Sequence, residues 1–268
     1  MKAVVLAAGL GTRMRRPDAV ARLEAGQAAA ADRGAKAMVP VGGRPFLDFV
    51  LSGLADAGVD EVCLVVGPQS QDVRAHYAAS PPARVRLAFA LQREPRGTAD
   101  ALLAAEDFTG GADFLALNSD NLYPVSAYRT LMELGEPGLP VFEREELLAK
   151  GNFPRERVER YAVLEVGRDG YLEGIVEKPG PAGAAISGGD VLLSLNLWRF
   201  PAAIFDACRR VPVSTRGELE LPQAVGFGIA RLGLRMRAVR SHGAVLDLST
   251  RADVAAVARR LHGIGARP

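Results

Sequence analysis

Hydrophobic and polar positions along the chain follow two alternating periods. Short apolar runs rich in β-branched residues fall at 2–8, 61–67, 85–91 and 113–118, and each reads as a buried strand. Residues 45–57, 70–77, 98–107 and 126–134 between them carry apolar side chains at helical spacing. Strands alternating with helices predict a parallel sheet with crossover helices on its faces. After Pro137 the pattern changes. A charged segment, FEREELLAKGNFPRERVER, leads into YAVLEV-GRDG-YLEGIVEKP, where two alternating runs joined by an Asp-Gly turn predict a β-hairpin. An apolar strand is expected at 191–198, helices at 201–210 and 219–230, a strand pair around 235–248 and a closing helix at 252–262. No period of 20 to 50 residues recurs, which excludes a solenoid.

The expected fold is therefore α/β: a Rossmann-like, mixed but mostly parallel sheet flanked by helices, with a smaller hairpin-containing part. One domain over 1–268 is expected, with halves at 1–135 and 136–268. Segment 15–35 stands apart. It is rich in Ala, Arg and Gln, has no strand pattern, and carries at most a short helix at 19–31. A long insertion in a compact domain reads as a functional flap or a mobile surface loop, and the sequence leaves both open.

Composition adds three constraints. With 49% hydrophobic residues in 268, the chain can fill a sizeable core. Its 33 basic and 31 acidic residues nearly cancel, so bulk electrostatics call for neither a nucleic-acid nor a membrane-surface partner. Within the basic set only Lys2, Lys36, Lys150 and Lys178 are lysines and the other 29 are arginines, so each lysine stands out. Cys63 and Cys208 cannot build a disulfide framework and read as buried thiols. The chain opens directly on a strand-like run, without a charged leader and cleavable apolar segment. No apolar stretch approaches the roughly 18 residues of a membrane span. A cytoplasmic protein is expected.

The strongest local signal is LAAGLGTRM at 6–14, a glycine-rich turn after the first strand. Gly9 and Gly11 permit positive φ and let backbone N–H groups approach an anion closely. The dinucleotide fingerprint fails, because Met14 stands where a third glycine belongs and Arg15, Arg16 and Pro17 argue against a helix starting at once. The Walker A pattern is absent too. What remains is a phosphate loop with Arg13 placed to contact phosphate oxygens, against the plainer reading of a tight turn with a solvated arginine.

The motif LAAGLGTRM with KAMVPVGGRPFLDFVLSGLADAG at 36–58 resembles the signature of the sugar-1-phosphate nucleotidyltransferases. The likeness continues in family order through GTADALLAAEDF at 97–108, FLALNSDN at 114–121, YAVLEV with GIVEKP at 161–179, GELELPQAV at 217–225 and VLDLSTRADV at 245–254. The resemblance implies that an NTP and a hexose 1-phosphate are converted to NDP-hexose and pyrophosphate. The chemistry needs in-line positioning and charge neutralisation rather than covalent help. It also implies that 1–135 handles the nucleotide and 136–268 the sugar.

Roles follow by similarity. Asp120 and Asp247 would be the metal pair, and two hard oxygen ligands from distant segments suit Mg²⁺. Taken alone, each aspartate reads equally as a turn or helix-capping residue. Arg13, Lys36 and Lys178 would be the catalytic cations, Lys36 on the triphosphate and Lys178 on the sugar phosphate. Leu6, Ala7, Ala8, Gly9, Gly11, Thr12, Gln92, Gly97 and Thr98 would bind the nucleotide, with Gln92 and Gly97 reading a pyrimidine edge. Asn121, Tyr161, Ala162, Glu177 and Asn196 would line the sugar pocket, with Arg216 and Glu218 flanking it. Gln92 leans towards dTTP or UTP, with a glucose-type sugar. The alternatives are a mannose-1-phosphate guanylyltransferase and a catalytically weak sugar-nucleotide-binding regulatory relative. Family members are often homodimers or homotetramers, and the sequence does not choose between them. Three departures stand out: Ser119 and Ser249 replace usual glycines, and the 23-residue offset from Arg13 to Lys36 is long for the family, which leaves Arg15 or Arg16 to share the role of Arg13.

Overall fold

A computed structural model describes residues 1–176 and 190–268. Glu177 and Lys178 lie outside the described residues. The first-half strands are β1 (Lys2–Leu6), the short β2 (Pro40–Val41) and β3 (Arg44–Pro45), β4 (Glu61–Val66), β5 (Arg86–Leu91), β6 (Phe114–Asn118) and β7 (Asn121–Leu122). The second half adds β8 (Gly138–Glu143), β9 (Val163–Val166), β10 (Leu172–Val176), β11 (Leu192–Leu193), β12 (Leu197–Phe200), β13 (Arg237–Arg240) and β14 (Leu246–Asp247). Ten of them form one sheet in the order β10-β9-β11-β8-β12-β6-β1-β4-β5, with β13 beside β8. The pairs β6-β1-β4-β5 are parallel, while β12 runs antiparallel to β6 and β8 and so joins the two halves. The α/β expectation is borne out.

Both faces of this sheet are covered, which explains why β1 is apolar at consecutive positions. Ala3 and Val5 enter one core and Val4 and Leu6 the other. Helix Phe46–Ala57, started after Pro45 and stopped by Gly58 at φ 98°, packs on the first face. Trp198 is fully buried and stacks on Phe200 at 5.4 Å, so it is core. Burial pushes the Cys63 thiol up to about 11 and the Cys208 thiol up to about 12, as inert core thiols.

Several expectations need correction. The helix expected at 19–31 is displaced to Ala25–Arg33, where Glu24 and Gln27 form a capping box. A helix does start at once after the glycine-rich turn, but it is one turn, Thr12–Arg15, because Pro17 forces Arg16 into an extended conformation. The strand expected at 191–198 is broken into β11 and β12 around Asn196, whose φ of 61° no regular strand accommodates. The helix expected at 98–107 is split into Thr98–Leu103 and Glu106–Thr109. The strands near 235–248 do not pair with each other: β13 runs parallel to β8 and β14 antiparallel to β7. Strand β8 itself went unrecognised, because Gly138 and Pro140 are strand-breaking signals that the parallel register of Pro140 with Val239 overrides.

Candidate active site

A crevice of about 610 Å³ opens at the C-terminal ends of β1 and β6, where an open α/β sheet positions ligands. Leu6, Ala7, Ala8, Gly9, Thr12, Gln92, Gly97, Thr98, Lys36 and Asp120 all line it. Gly11 does not line it. It shapes the turn from behind: at φ 63°, a Cβ there would lie 2.0 Å from the Gly34 carbonyl oxygen. Among the described residues the amides of Gly9 and Leu10, both on the crevice lining, take no partner and remain available as donors.

Lys36 and Asp120, 84 residues apart, meet with Nζ 2.9 Å from Oδ2. Lys36 opens a single 3₁₀ turn, Lys36–Met38, and Asp120 sits just past the end of β6. Burial works to raise the Asp120 pKa, but the Lys36 ammonium, its hydrogen bond and the nearby Arg13 hold the carboxyl below its ordinary value. Arg13 is exposed and forms no ion pair among the described residues, so its charge stays available beside the carboxylate.

Asp247 is brought to the same place by pairing of β14 with β7, in which it opposes Asn121. The Leu248 amide donates to the Asp120 carbonyl at 2.9 Å. The Asp247 carboxylate accepts from Ser249 Oγ at 2.6 Å and from Arg157 at 2.9 Å, while Asn152 brackets its backbone with two hydrogen bonds of 2.8 Å. Burial, then the charge of Asp120, still pushes Asp247 up to about 6 against the opposing Arg157. Ser249, a departure from the family pattern, thus has a role as donor to the aspartate.

Gln92 is buried, and both hydrogens of its amide are engaged: Nε2 donates to the Gly97 carbonyl at 3.0 Å and to Asp100 at 2.9 Å. Both partners are acceptors, so the amide orientation is fixed and Oε1 is left as an acceptor for a ligand. Gly97 has φ 114°, and a Cβ there would meet Leu219 O at 2.4 Å. Leu219 donates to Arg96 and accepts from Ala99, and the Leu221 amide donates to Thr98 Oγ1. The GELEL stretch is therefore a brace under this turn. Arg216 is tied to Glu220 at 2.6 Å, whereas Glu218 lines the crevice.

Of the residues assigned to the sugar, Asn121, Tyr161, Ala162 and Asn196 sit outside that crevice lining, Asn121 and Tyr161 beside Asp247. Asn121 is buried in β7, opposite Asp247. Tyr161 packs edge-on to Phe153 at 5.7 Å, and burial, then Asp247, raises its hydroxyl well above its ordinary value. Ala162 is half-buried next to it. Asn196 is held in the left-handed region, and its Oδ1 is buried without a partner among the described residues. A strained residue with an orphaned oxygen is the signature of a group waiting for a ligand donor.

Some residues of this region were not singled out from sequence. Arg157 bridges Asp247 and Asp253 at 2.9 and 3.0 Å, yet in the run RERVER nothing separates it from a solvated charge. Gln69, whose amide donates to the Ala8 carbonyl at 3.3 Å, likewise carries no sequence signal. Arg15 is committed to the Arg33 carbonyl through Nε and Nη2, at 3.2 and 3.0 Å, and so does not substitute for Arg13.

Comparison with known proteins agrees with this geometry. A family model described as Nucleotidyl transferase matches residues 30–225. The UTP–glucose-1-phosphate uridylyltransferase AglF of Haloferax volcanii is 31% identical over 255 residues, covering 92% of this chain and 91% of that protein. The glucose-1-phosphate thymidylyltransferase of Streptomyces griseus is 29% identical over 225 residues, covering 84% of this chain, which spans about half, 56%, of that relative's length. The solved structure of a UDP-glucose pyrophosphorylase from Acinetobacter baumannii superposes with a TM-score of 0.72 at 22% identity, covering 99% of this chain and 95% of that one, a likeness of fold.

Proposed function

We infer the substrates and residue roles from one premise: the chain belongs to the nucleotidyl transferase family, as a sugar-1-phosphate nucleotidyltransferase that joins the nucleotidyl part of an NTP to a sugar 1-phosphate. The substrates we assign are UTP or dTTP and glucose 1-phosphate. The meeting of Lys36 and Asp120 beside the glycine-rich turn carries this reading. It sets a cation and an anion beside a turn whose unpaired backbone N–H groups can cradle phosphates.

The free acceptor of Gln92 supports a base that presents a ring N–H and counts against cytosine and adenine, while the named relatives favour uracil or thymine over guanine. An imide N–H, as in uracil and thymine, can donate to it, whereas cytosine and adenine present an acceptor at the equivalent edge. A sugar-phosphate oxygen attacks the α-phosphorus, the bond to the bridging oxygen breaks, and pyrophosphate leaves with the electron pair. Lys36 keeps two of its three N–H donors free of Asp120 for phosphate oxygens, and Arg13 adds a fork-shaped contact. The orphaned Asn196 oxygen accepts from a sugar hydroxyl, with Asn121, Tyr161, Ala162 and Glu177 around it and Lys178 on the sugar phosphate. In this division residues 1–135 serve the nucleotide and 136–268 the sugar.

The family generally uses a divalent metal. The residues present fit one: Asp120, between β6 and β7, and Asp247, on β14 beside β7, are two hard carboxylates, and after burial the charge of Asp120 is the next cause of the raised Asp247 pKa, which a cation would relieve. Among the described residues no group of three or more His, Cys, Asp or Glu clusters to hold a metal ion; substrate phosphates would supply further ligands. We assign Asp120 and Asp247 as its holders and Mg²⁺ as the ion, which would neutralise phosphate charge. Among the described residues no helix is long and apolar enough to cross a membrane; a cytoplasmic location is part of this proposal. The guanylyl and regulatory alternatives are not favoured.

Pyrophosphate release across a matrix of four NTPs and several sugar phosphates tests the substrate choice. Turnover with UTP or dTTP and glucose 1-phosphate, well above ATP and CTP, is the expected result, and a preference for ATP or CTP would refute the base assignment.

A further inference from the structure

The insertion between Arg13 and Lys36 is a fixed part of the crevice. Its helix, Ala25–Arg33, buries Gln27, Ala30 and Ala31, and Gln27 donates to the Pro40 carbonyl at 3.0 Å. Arg251 reaches back from the far end of the chain to the Met14 carbonyl at 3.1 Å and to Asp32. The helix ends against the glycine-rich turn. Gly34, at φ 73°, could not carry a Cβ, which would lie 2.5 Å from the Leu10 carbonyl oxygen, and Gly11 is equally closed off by Gly34. Arg15 clamps the Arg33 carbonyl. The backbone of Arg33 is thus locked beside the turn while its side chain lines the same crevice as Gly9 and Lys36.

That side chain is the least committed of the cations lining it, since Arg15 holds the Arg33 carbonyl and Lys36 holds Asp120. Its one carboxylate neighbour within ion-pair range among the described residues is Asp72, at 4.0 Å, and the two side chains are 60% and 30% exposed. A pair that open is weak and readily displaced. Asp72, in the first turn of helix Gln71–Ala79, accepts the Val73 amide at 2.9 Å. Lys36 faces Asp120, whereas Arg33 faces Asp72 instead, off the carboxylate pair where the α-phosphorus reacts.

We propose that Arg33 binds the triphosphate, holding the two phosphates that depart as pyrophosphate. The assignment rests on the nucleotidyl-transfer reading above, and the guanidinium exchanges Asp72 for phosphate oxygens when the nucleotide enters.

The test uses Arg33→Ala, Arg33→Lys and Asp72→Asn in the full chain. For Arg33→Ala, KM for the NTP and, in the reverse direction, for pyrophosphate should rise about tenfold, the effect of losing one charge-assisted contact. KM for the sugar 1-phosphate and for the NDP-sugar should stay within about twofold, and thermal melting should match wild type, since the side chain is mostly exposed. Titration with inorganic pyrophosphate, read by calorimetry, should weaken by the same factor, be partly recovered in Arg33→Lys, and not weaken in Asp72→Asn. Unchanged pyrophosphate binding in Arg33→Ala, or an equal loss for every substrate with a lowered melting temperature, would overturn the proposal. If Arg33 governs pyrophosphate binding but no NTP and sugar phosphate turn over, the nucleotidyl-transfer reading fails and the binding assignment stands. If turnover is normal and Arg33→Ala behaves as wild type, only the assignment of Arg33 fails.

Discussion

Two carboxylate clusters lie close in sequence and behave in opposite ways. Glu146, on helix Arg144–Lys150, accepts from Lys150 at 2.6 Å, from His242 at 2.9 Å and from the Gly243 amide at 3.1 Å, and its carboxyl is pushed down to about 2, the Lys150 hydrogen bond contributing most. The Asp247 carboxylate has two donors, Ser249 and the charged Arg157, yet it rises to about 6. Burial and a second carboxylate make the difference. Glu146 is half-buried, so it loses part of its hydration and its three partners outweigh that loss. Inside, partners must first offset the lost hydration, and Asp120 works against them. The fold keeps the two acids together at that cost and gives each its own cation, Lys36 for Asp120 and Arg157 for Asp247.

The largest effect that would break this contrast is chemical. Asp120→Ala should lower kcat by about a thousandfold or more, because it removes both the partner of Lys36 and half of the carboxylate pair. A chelator should abolish turnover of the wild type and added Mg²⁺ should restore it. Retention of activity in either experiment would show that the pair does not serve the reaction.

Arg157→Ala should destabilise the fold by about 3–5 kcal/mol in denaturant titrations, since it strands Asp247 and Asp253 inside with their charges unmatched. A loss below about 1 kcal/mol would place that cluster in the same class as a surface pair.

Gly11→Ala should cost about 1–3 kcal/mol, because a left-handed residue gains a Cβ that collides with Gly34. It should also raise KM for the NTP by separating the turn from the insertion. Wild-type stability and KM would show that the two segments are not in contact.

The smallest effect concerns pH. The Glu146 carboxyl is depressed from 4.5 to about 2 in the folded chain, so its contribution is fully present above pH 4.5 and is lost as pH falls through that window towards 2. Glu146→Gln should be less stable than wild type at pH 7, and the two curves should converge as acid is added. Divergence towards low pH would reverse the assigned sign.

The difference between the clusters also explains what the sequence made legible. The strands and helices of the first half were readable because β-branched runs alternate with apolar stretches at helical spacing, and both faces of β1, β4 and β6 are buried. Asp120 and Lys36 were readable because each follows a motif. The insertion was not, since its buried face consists of Gln27, Ala30 and Ala31, too small and polar to mark a period. Arg157 was hidden among neighbouring charges, and its burial depends on β14 docking against β7, a pairing between residues 121–122 and 246–247 that no local pattern encodes. The split at Asn196 was hidden by an apolar run on either side of it.

The most direct measurement is the product balance with UTP or dTTP and glucose 1-phosphate in the presence of Mg²⁺, followed by phosphorus NMR. Equimolar NDP-glucose and pyrophosphate from the wild type, and neither from Asp120→Ala, is the predicted result. No pyrophosphate with any NTP and sugar phosphate, or identical spectra from wild type and Asp120→Ala, would contradict it.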